Sequence, residues 1–244
     1  PFATIEPNIG RVAVPDERLT ILSSIGKSQK TIPSFMDFVD IAGLVKGASK
    51  GEGLGNKFLG HVREVDAIAH VVRCFEDTNI THVSSKINPL DDIDTINLEL
   101  QLADLESLNN KKTSLEKKLK SNDKESKNKY EVVQKVLSIL EKGNQIEINE
   151  FKDYEQNYIN ELNLITSKPT MYICNVDEYS IHKGNSLSEK VINLAKANKN
   201  SVVLVSASIE AQIAELESDD EKKEFLNELE LDETTLNKVI KSGY

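Results

Sequence analysis

The sequence contains only two cysteines, and it has no apolar stretch approaching the roughly 18 residues of a membrane-spanning helix. Cys74 and Cys174 are a hundred positions apart and lie within apolar runs. This placement indicates buried thiols in a reducing compartment rather than a disulfide or a metal site. No stretch has the composition of a secretory signal. We therefore expect a soluble, cytoplasmic protein that makes no membrane contact.

Positive charge is scarce, because 30 Lys and Arg residues stand against 40 Asp and Glu residues, for a formal net charge of −10. This balance argues against broad electrostatic attraction to nucleic acid, although it leaves room for a local basic patch. The 244 residues suffice for one large domain or for one domain with an insertion.

One stretch combines an apolar run, a carboxylate and a glycine-rich loop. The run from Phe35 to Val39 predicts a strand buried on both faces, and it ends at Asp40, with Gly43 three residues later. An Asp at the end of a strand can hold a Mg²⁺-bound water, and a glycine amide can meet a γ-phosphate without steric hindrance. On these residues alone, a strand that happens to end in Asp before a flexible loop is the favoured interpretation.

Two other glycine motifs are rejected as phosphate loops. Gly26-Lys27-Ser28 has the ending of G-x-x-x-x-G-K-[ST], but Ile21 stands where the first glycine is needed, and the preceding segment is predicted to be helical from Glu17. The glycines at positions 51, 53 and 55 have the wrong spacing for a dinucleotide-binding turn.

Two further apolar runs, Thr170 to Cys174 and Ser201 to Val205, predict core strands. The first leads into Asn175-Val176-Asp177-Glu178 and the second into Ser206-Ala207. GTPases place N-K-x-D and S-A-K at two such strand ends, where the acidic residue pairs with the N1 and N2 donors of guanine. Here Val176 replaces the Lys and Glu178 replaces the Asp, so we expect weakened specificity for GTP.

Predicted strands alternate with predicted helices before residue 94 and after residue 164, and the segment between these positions has a different composition. That segment has no proline and one glycine, and its leucines and valines recur at helical spacing. It predicts a hairpin of two long helices inserted into an α/β domain with a mostly parallel sheet. We predict a turn at residues 88–92 and helix from Ile209 to Tyr244. Lysines gather near the predicted tip, as a solvated face or as a contact to RNA.

The chain resembles the Obg-like ATPases of the YchF family, P-loop NTPases of the translation-factor class. The resemblance runs from end to end and is most specific from Asp40 to Phe58. It implies a three-layer, GTPase-like nucleotide-binding domain at residues 1–98 and 165–244, with a coiled-coil-like helical insertion at residues 99–164. It also implies binding and hydrolysis of ATP in preference to GTP, a requirement for Mg²⁺, and association with the ribosome.

The resemblance also implies roles for individual residues. Thr4 and Asp40 would hold Mg²⁺, and Gly43 would meet the γ-phosphate. Leu44 stands where Ras-like GTPases carry a water-orienting Gln, and the family's proposed replacement is a histidine that matches His82, the candidate catalytic residue. The residues that would border the adenine are Asn175, Val176, Glu178, Ser206 and Ala207.

The sequence departs from the family pattern because the phosphate loop G-x-x-x-x-G-K-[ST], its preceding strand and a C-terminal TGS domain are not found in it. The preceding strand normally lies in the middle of the sheet. We therefore expect this chain alone to bind ATP poorly and to be inactive. Two alternatives stay open: a nucleotide-gated scaffold for ribosome or RNA with little hydrolysis, and a protein that binds GTP rather than ATP.

Overall fold

The computed structural model describes residues 8–41, 54–77, 87–119 and 123–244. The strands of this described part are β1 (Asn8–Ala13), β2 (Phe35–Asp40), β3 (Ile68–Arg73), β4 (Thr170–Asn175) and β5 (Ser201–Val205). The helices are α1 (Glu17–Gly26), α2 (Leu54–Glu64), α3 (Pro89–Leu119), α4 (Lys124–Glu141), α5 (Asp153–Leu162), α6 (Ser186–Ala197), α7 (Ala207–Glu215), α8 (Asp219–Glu228) and α9 (Thr235–Gly243). None of these helices combines the length and the apolar composition that a membrane span requires.

The chain divides into two compact units. The helical unit takes its described residues from the ranges 41–66 and 94–169, and the sheet unit takes them from 8–40, 67–93 and 170–244. Each unit has its own apolar core.

The centre of the sheet unit is a parallel sheet in the order β3-β4-β5. Its register places Val71 opposite Ile173 and Ile173 opposite Val203. The middle strand is buried at four consecutive positions, because both of its faces are covered. Cys174 and Val191 are fully buried in this core, and Ile209 of α7 is 1% exposed in the same cluster. The two strands predicted at β4 and β5 are thus confirmed.

A separate antiparallel pair of strands, β1 and β2, completes the described strands of the sheet unit. Arg11 lies opposite Asp37, and their side chains form an ion pair at 2.7 Å. The prediction that β2 is buried on both faces is wrong, because no residue of this strand is buried and Phe35 is 52% exposed. Phe38 packs against β4 and α9, whereas the face that carries Phe35 stays exposed, and apolar composition alone does not reveal how many faces are covered.

The helical unit contains most of α3 together with α4 and α5, packed around a core of leucine, valine, isoleucine and tyrosine side chains. Val133, Val136 and Ile159 are fully buried. The predicted helical insertion is confirmed, but α5 is a third helix that the prediction of two long helices did not include. The turn predicted at residues 88–92 is wrong, because Pro89 begins α3. Proline suits a first helical position, where its missing N–H group costs nothing, and acidic residues favour a first turn.

A buried ionic network joins the end of α2 to the rest of the helical unit. Asp104 of α3 is fully buried, and its Oδ2 accepts hydrogen bonds from the Thr166 backbone and hydroxyl at 2.8 and 2.9 Å. Its Oδ1 lies 2.9 Å from Arg63 Nη2 as an ion pair without a directed hydrogen bond. Arg63 donates to the Asn163 carbonyl, while Asn163 and Lys168 donate back to the Arg63 carbonyl. The last turn of α2 is therefore fixed in place by charged groups.

The segment before Lys27 is helix α1, which begins after an Asp16 N-cap and is followed by a Lys27 C-cap in the left-handed conformation. This confirms that Gly26-Lys27-Ser28 does not follow a strand, as a phosphate loop would. Residues 209–244 are helical over most of their length, as predicted, and form three helices, α7, α8 and α9. Ser218 and Thr234 cap α8 and α9, so each hydroxyl satisfies a backbone N–H group where a new helix starts.

Candidate functional site

Polar residues gather where β4 and β5 end. Asn175 is the last residue of β4, and Ser206 follows the last residue of β5 as the N-cap of α7. The strand pairing continues past these ends, because the Cys74 N–H group donates to the Asn175 carbonyl and the Val176 N–H group donates to the Val205 carbonyl, both at 2.8 Å. The carboxyl edge of the parallel sheet is the usual ligand position in α/β folds, and here two further backbone hydrogen bonds extend it.

The half-buried side chain of Asn175 reaches across to α7. Its Oδ1 accepts the Ala207 N–H group at 3.1 Å. Its oxygen is already bonded to α7, and its Nδ2 amide group can donate hydrogen bonds to a ligand. A donor fixed at this position suits a ring nitrogen of a nucleobase.

Glu178 stands at the surface three residues further on. It opens a 3₁₀ turn, Glu178–Ser180, whose cap is Asp177: the Asp177 carboxylate accepts from the Ser180 N–H and hydroxyl groups at 3.0 and 2.9 Å. Asp177 is thus used within the loop, whereas the Glu178 carboxylate is exposed and accepts one hydrogen bond from Gln212 of α7 at 3.1 Å. Glu178 is the acidic group that this loop presents outward.

Two predicted site residues have side chains that are buried in the protein interior. Val176 is 2% exposed and packs within the core of the sheet unit. Ser206 is fully buried, and its hydroxyl lies 3.0 Å from that of Ser208. Each could meet a ligand only through its backbone. The structure therefore brings Asn175, Val176, Glu178, Ser206 and Ala207 to one edge, with Asn175 and Glu178 as the side chains that carry polar chemistry.

Asn185 is a supporting residue that the sequence reasoning missed. Its Nδ2 donates to the Cys74 carbonyl at 2.7 Å and lies 3.4 Å from an Asp177 carboxylate oxygen, while its Oδ1 caps α6. It therefore ties the end of β3 to the loop after β4. Its position before Ser186 and Ser188 is a recognisable capping signal, but a cap does not disclose a contact 111 positions away.

Arg73 organises the chain that leaves β3. Its guanidinium lies 4.7 Å above the Phe75 ring and donates to the Phe75 and Asp77 carbonyls, each at 3.2 Å. These contacts fix the direction of residues 74–77, which lead toward the predicted catalytic histidine. His82 itself lies outside the described residues.

The remaining predicted site residues belong to other parts of the chain. Asp40 ends β2 in the antiparallel pair rather than in the sheet that carries Asn175, and its carboxylate is exposed. Thr4, Gly43 and Leu44 lie outside the described residues. Within the described ranges, no cluster of three or more His, Cys, Asp or Glu side chains has the geometry to hold a metal ion.

Comparison with known proteins gives a consistent result. Residues 1–102 match the family model described as 50S ribosome-binding GTPase. The whole chain is 51% identical to the ribosome-binding ATPase YchF of Haemophilus influenzae, of which it covers 67%, and 48% identical over 246 aligned residues to that of Bacillus subtilis, again covering 67%. The chain belongs to the YchF family.

The structure of the YchF GTPase from Schizosaccharomyces pombe extends this result to the fold. It matches all of this chain with a TM-score of 0.81 at 34% identity, and the chain covers 66% of it. The predicted fold class, a GTPase-like α/β domain with a helical insertion, is confirmed by this match and by the parallel sheet. The chain spans about two thirds of the length of these YchF relatives.

Proposed function

We propose that the chain is the nucleotide-binding and helical part of a Mg²⁺-dependent ATPase that works with the ribosome. The observation that supports this most directly is the carboxyl edge of the parallel sheet, where the Asn175 amide and the Glu178 carboxylate stand beside α7. The relatives in Haemophilus influenzae and Bacillus subtilis are named ribosome-binding ATPases. We assign nucleotide binding to residues 1–98 and 165–244 and the inserted arm to residues 99–164.

In this proposal, Asn175 donates to the adenine ring, and the backbone of Val176, Ser206 and Ala207 borders the base. Bound Mg²⁺ would neutralise charge on the β- and γ-phosphates. The exposed Asp40 carboxylate fits this ion because Mg²⁺ prefers oxygen ligands, and Thr4 would supply a hydroxyl.

Hydrolysis requires a water molecule aligned with the γ-phosphate. Leu44 cannot orient water by hydrogen bonding, so we assign that task to His82, with the Gly43 amide holding the phosphate. In the full gene product, His82→Ala is expected to slow ATP turnover far more than it weakens ATP binding. Turnover at the wild-type rate would remove His82 from the mechanism. The 244-residue chain, which has no G-x-x-x-x-G-K-[ST] motif, should bind ATP weakly in calorimetry.

Binding of ATP and GTP to the full gene product, measured side by side with and without Mg²⁺, tests the nucleotide assignment. We expect tighter binding of ATP and loss of affinity when the metal is chelated. Tighter binding of GTP would favour a GTPase, and binding without turnover would favour a nucleotide-gated scaffold.

Ribosome contact is assigned to the helical insertion because exposed lysines lie in the last turn of α3 and in the first turn of α4. They include Lys117, Lys124 and Lys127. Replacing these three with Glu should reduce co-sedimentation with ribosomes, since lysines attract RNA phosphates. The matched control reverses three exposed lysines of the sheet unit, Lys183, Lys190 and Lys196. Equal loss in both variants, or ribosome binding that survives removal of residues 100–163, would contradict the assignment.

A further inference from the structure

Helix α7 donates two hydrogen bonds to side chains at the end of β4 and in the loop that follows it. At its first residue, the Ala207 N–H group donates to Asn175 Oδ1 at 3.1 Å. Further along the helix, Gln212 Nε2 donates to Glu178 Oε1, also at 3.1 Å. The same helix therefore contacts both side chains that the proposed base site presents.

The bond from Gln212 is not needed to seat α7 or to shape the loop. Ile209 and Ile213 anchor the helix, with exposures of 1% and 5% in the core of the sheet unit. Asp177 fixes the loop backbone through its two bonds to Ser180. The bond from Gln212 contacts only the Glu178 carboxylate, at one of its two oxygens.

The orientation of the Glu178 carboxylate matters for the choice of base. Guanine presents two adjacent donors, N1–H and the N2 amino group, and a carboxylate binds them best with both of its oxygens in one plane. Adenine has an acceptor at N1 and no amino group at position 2, so it gains nothing from such a pair of acceptors. An amide nitrogen 3.1 Å from Oε1 competes for that oxygen and occupies the space beside it.

We propose that Gln212 is a positioning residue for base selection, which holds the Glu178 carboxylate toward α7 and so disfavours guanine relative to adenine. The inference rests on the proposed function of this edge as a nucleotide site. Preference for adenine over guanine would then depend on α7 as well as on the presence of Glu rather than Asp at position 178.

The test uses the full gene product and compares the dissociation constants of ATP and GTP. Gln212→Met keeps the length of the side chain and removes its donor. We expect the ratio of the GTP constant to the ATP constant to fall roughly fivefold, the effect of one hydrogen bond of about 1 kcal/mol. Gln134→Met is the matched control, because Gln134 is also an exposed helical glutamine with a side-chain hydrogen bond, to Tyr130 in the helical unit. Its ratio should not change.

A double-mutant cycle separates positioning from general stability. In a Glu178→Ala background, Gln212→Met should leave the ratio unchanged, because the carboxylate it orients is gone. An unchanged ratio in the single variant, or an equal shift in both backgrounds, overturns the role of Gln212 while the nucleotide site stands. If the unaltered protein binds neither nucleotide, the proposed function fails, and this inference fails with it.

Discussion

Asp104 in the helical unit and Glu178 in the sheet unit are both carboxylates that accept hydrogen bonds from other residues, but their surroundings differ. Asp104 is fully buried, and Thr166 and Arg63 lie within 3 Å of its two oxygens. Glu178 is exposed, with one hydrogen bond, from Gln212. A buried carboxylate needs such partners because desolvation of its charge is costly. An exposed one keeps the capacity to bind a ligand.

The same contrast extends to the rest of each unit. Glu155 is a second buried carboxylate of the helical unit and is paired with Lys135. The sheet unit instead has an apolar centre, and its Asn175, Glu178 and Ala207 lie where strands end. The buried carboxylates of the helical unit thus hold its helices together, whereas the Glu178 carboxylate of the sheet unit stays exposed near the end of β4.

The two units can be followed separately because the chain has no tryptophan. Phe151→Trp places a reporter beside the core of the helical unit, and Phe225→Trp places one beside the core of the sheet unit. Denaturant unfolding of each reporter protein gives a free energy of unfolding for its unit, and the substitutions below are introduced into both.

The largest effect is expected from Asp104→Ala. It leaves Arg63 without its buried partner, and loss of one member of a buried ion pair costs about 3–5 kcal/mol. The Phe151→Trp reporter should detect this loss, and the Phe225→Trp reporter should detect much less. Glu106→Ala, at an exposed position of the same helix, is the control. Equal losses at both reporters would mean that the contrast between the units is wrong.

Ile209→Ala is the converse test, because it should destabilise the sheet unit and leave the helical unit largely unchanged. Ile209 is 1% exposed, and truncation of a buried isoleucine costs about 2–5 kcal/mol. The loss should be registered by the Phe225→Trp reporter. Ile21→Ala, the same change at a side chain that is 60% exposed, should have little effect. A comparable loss from Ile21→Ala would show that exposure does not measure packing here.

Acid should weaken the two units at different pH. Burial lowers the pKa of His70 from 6.5 to about 4, partly opposed by Asp92. Below pH 6.5 the unfolded chain therefore binds a proton that the folded sheet unit does not, and stability falls by up to roughly 3 kcal/mol by pH 4. The hydrogen bond from Lys135 lowers the pKa of Glu155 below its ordinary 4.5, so the helical unit retains that contribution until the pH falls below 4.5.

His70→Gln removes the titrating group and should flatten the decline of the sheet unit between pH 6.5 and 4. Unfolding at the Phe225→Trp reporter, measured across this range, checks it. A slope that persists in the variant would assign the acid sensitivity to other groups.

The smallest effect is expected from Asp37→Asn in the antiparallel pair of strands. The side chains of Arg11 and Asp37 are 67% and 41% exposed, so water and salt screen their attraction. The midpoint of unfolding should shift less than for Asp104→Ala or Ile209→Ala, and the shift should vanish in about 1 M salt. A shift as large as that of Asp104→Ala would contradict the distinction between buried and exposed pairs.

Parts of this picture could be predicted because they depend on local pattern. The apolar runs predicted strands β4 and β5, and the polar residues after the first run identified Asn175 and Glu178 as candidate site residues. An equally apolar run misled at β2, because burial depends on which elements cover a strand. Pro89 was assigned to a turn although proline also suits the first position of a helix.

Roles within the site were harder to predict because they depend on contacts between distant residues. Asp177 and Glu178 are adjacent carboxylates, yet one caps the loop and the other faces outward. Gln212 contacts Glu178 across 34 positions. This contact depends on which face α7 turns toward the loop after β4, and the spacing of residues in the sequence does not predict that orientation.

The two cysteines have a practical consequence. Cys74 and Cys174 are both fully buried, and the neighbouring Cys174 together with burial raises the pKa of the Cys74 thiol. Alkylating reagents require an accessible thiolate, so both native side chains should stay unmodified while the sheet unit is folded. A single cysteine introduced on the surface could then carry a fluorophore or spin label without first removing the natural ones.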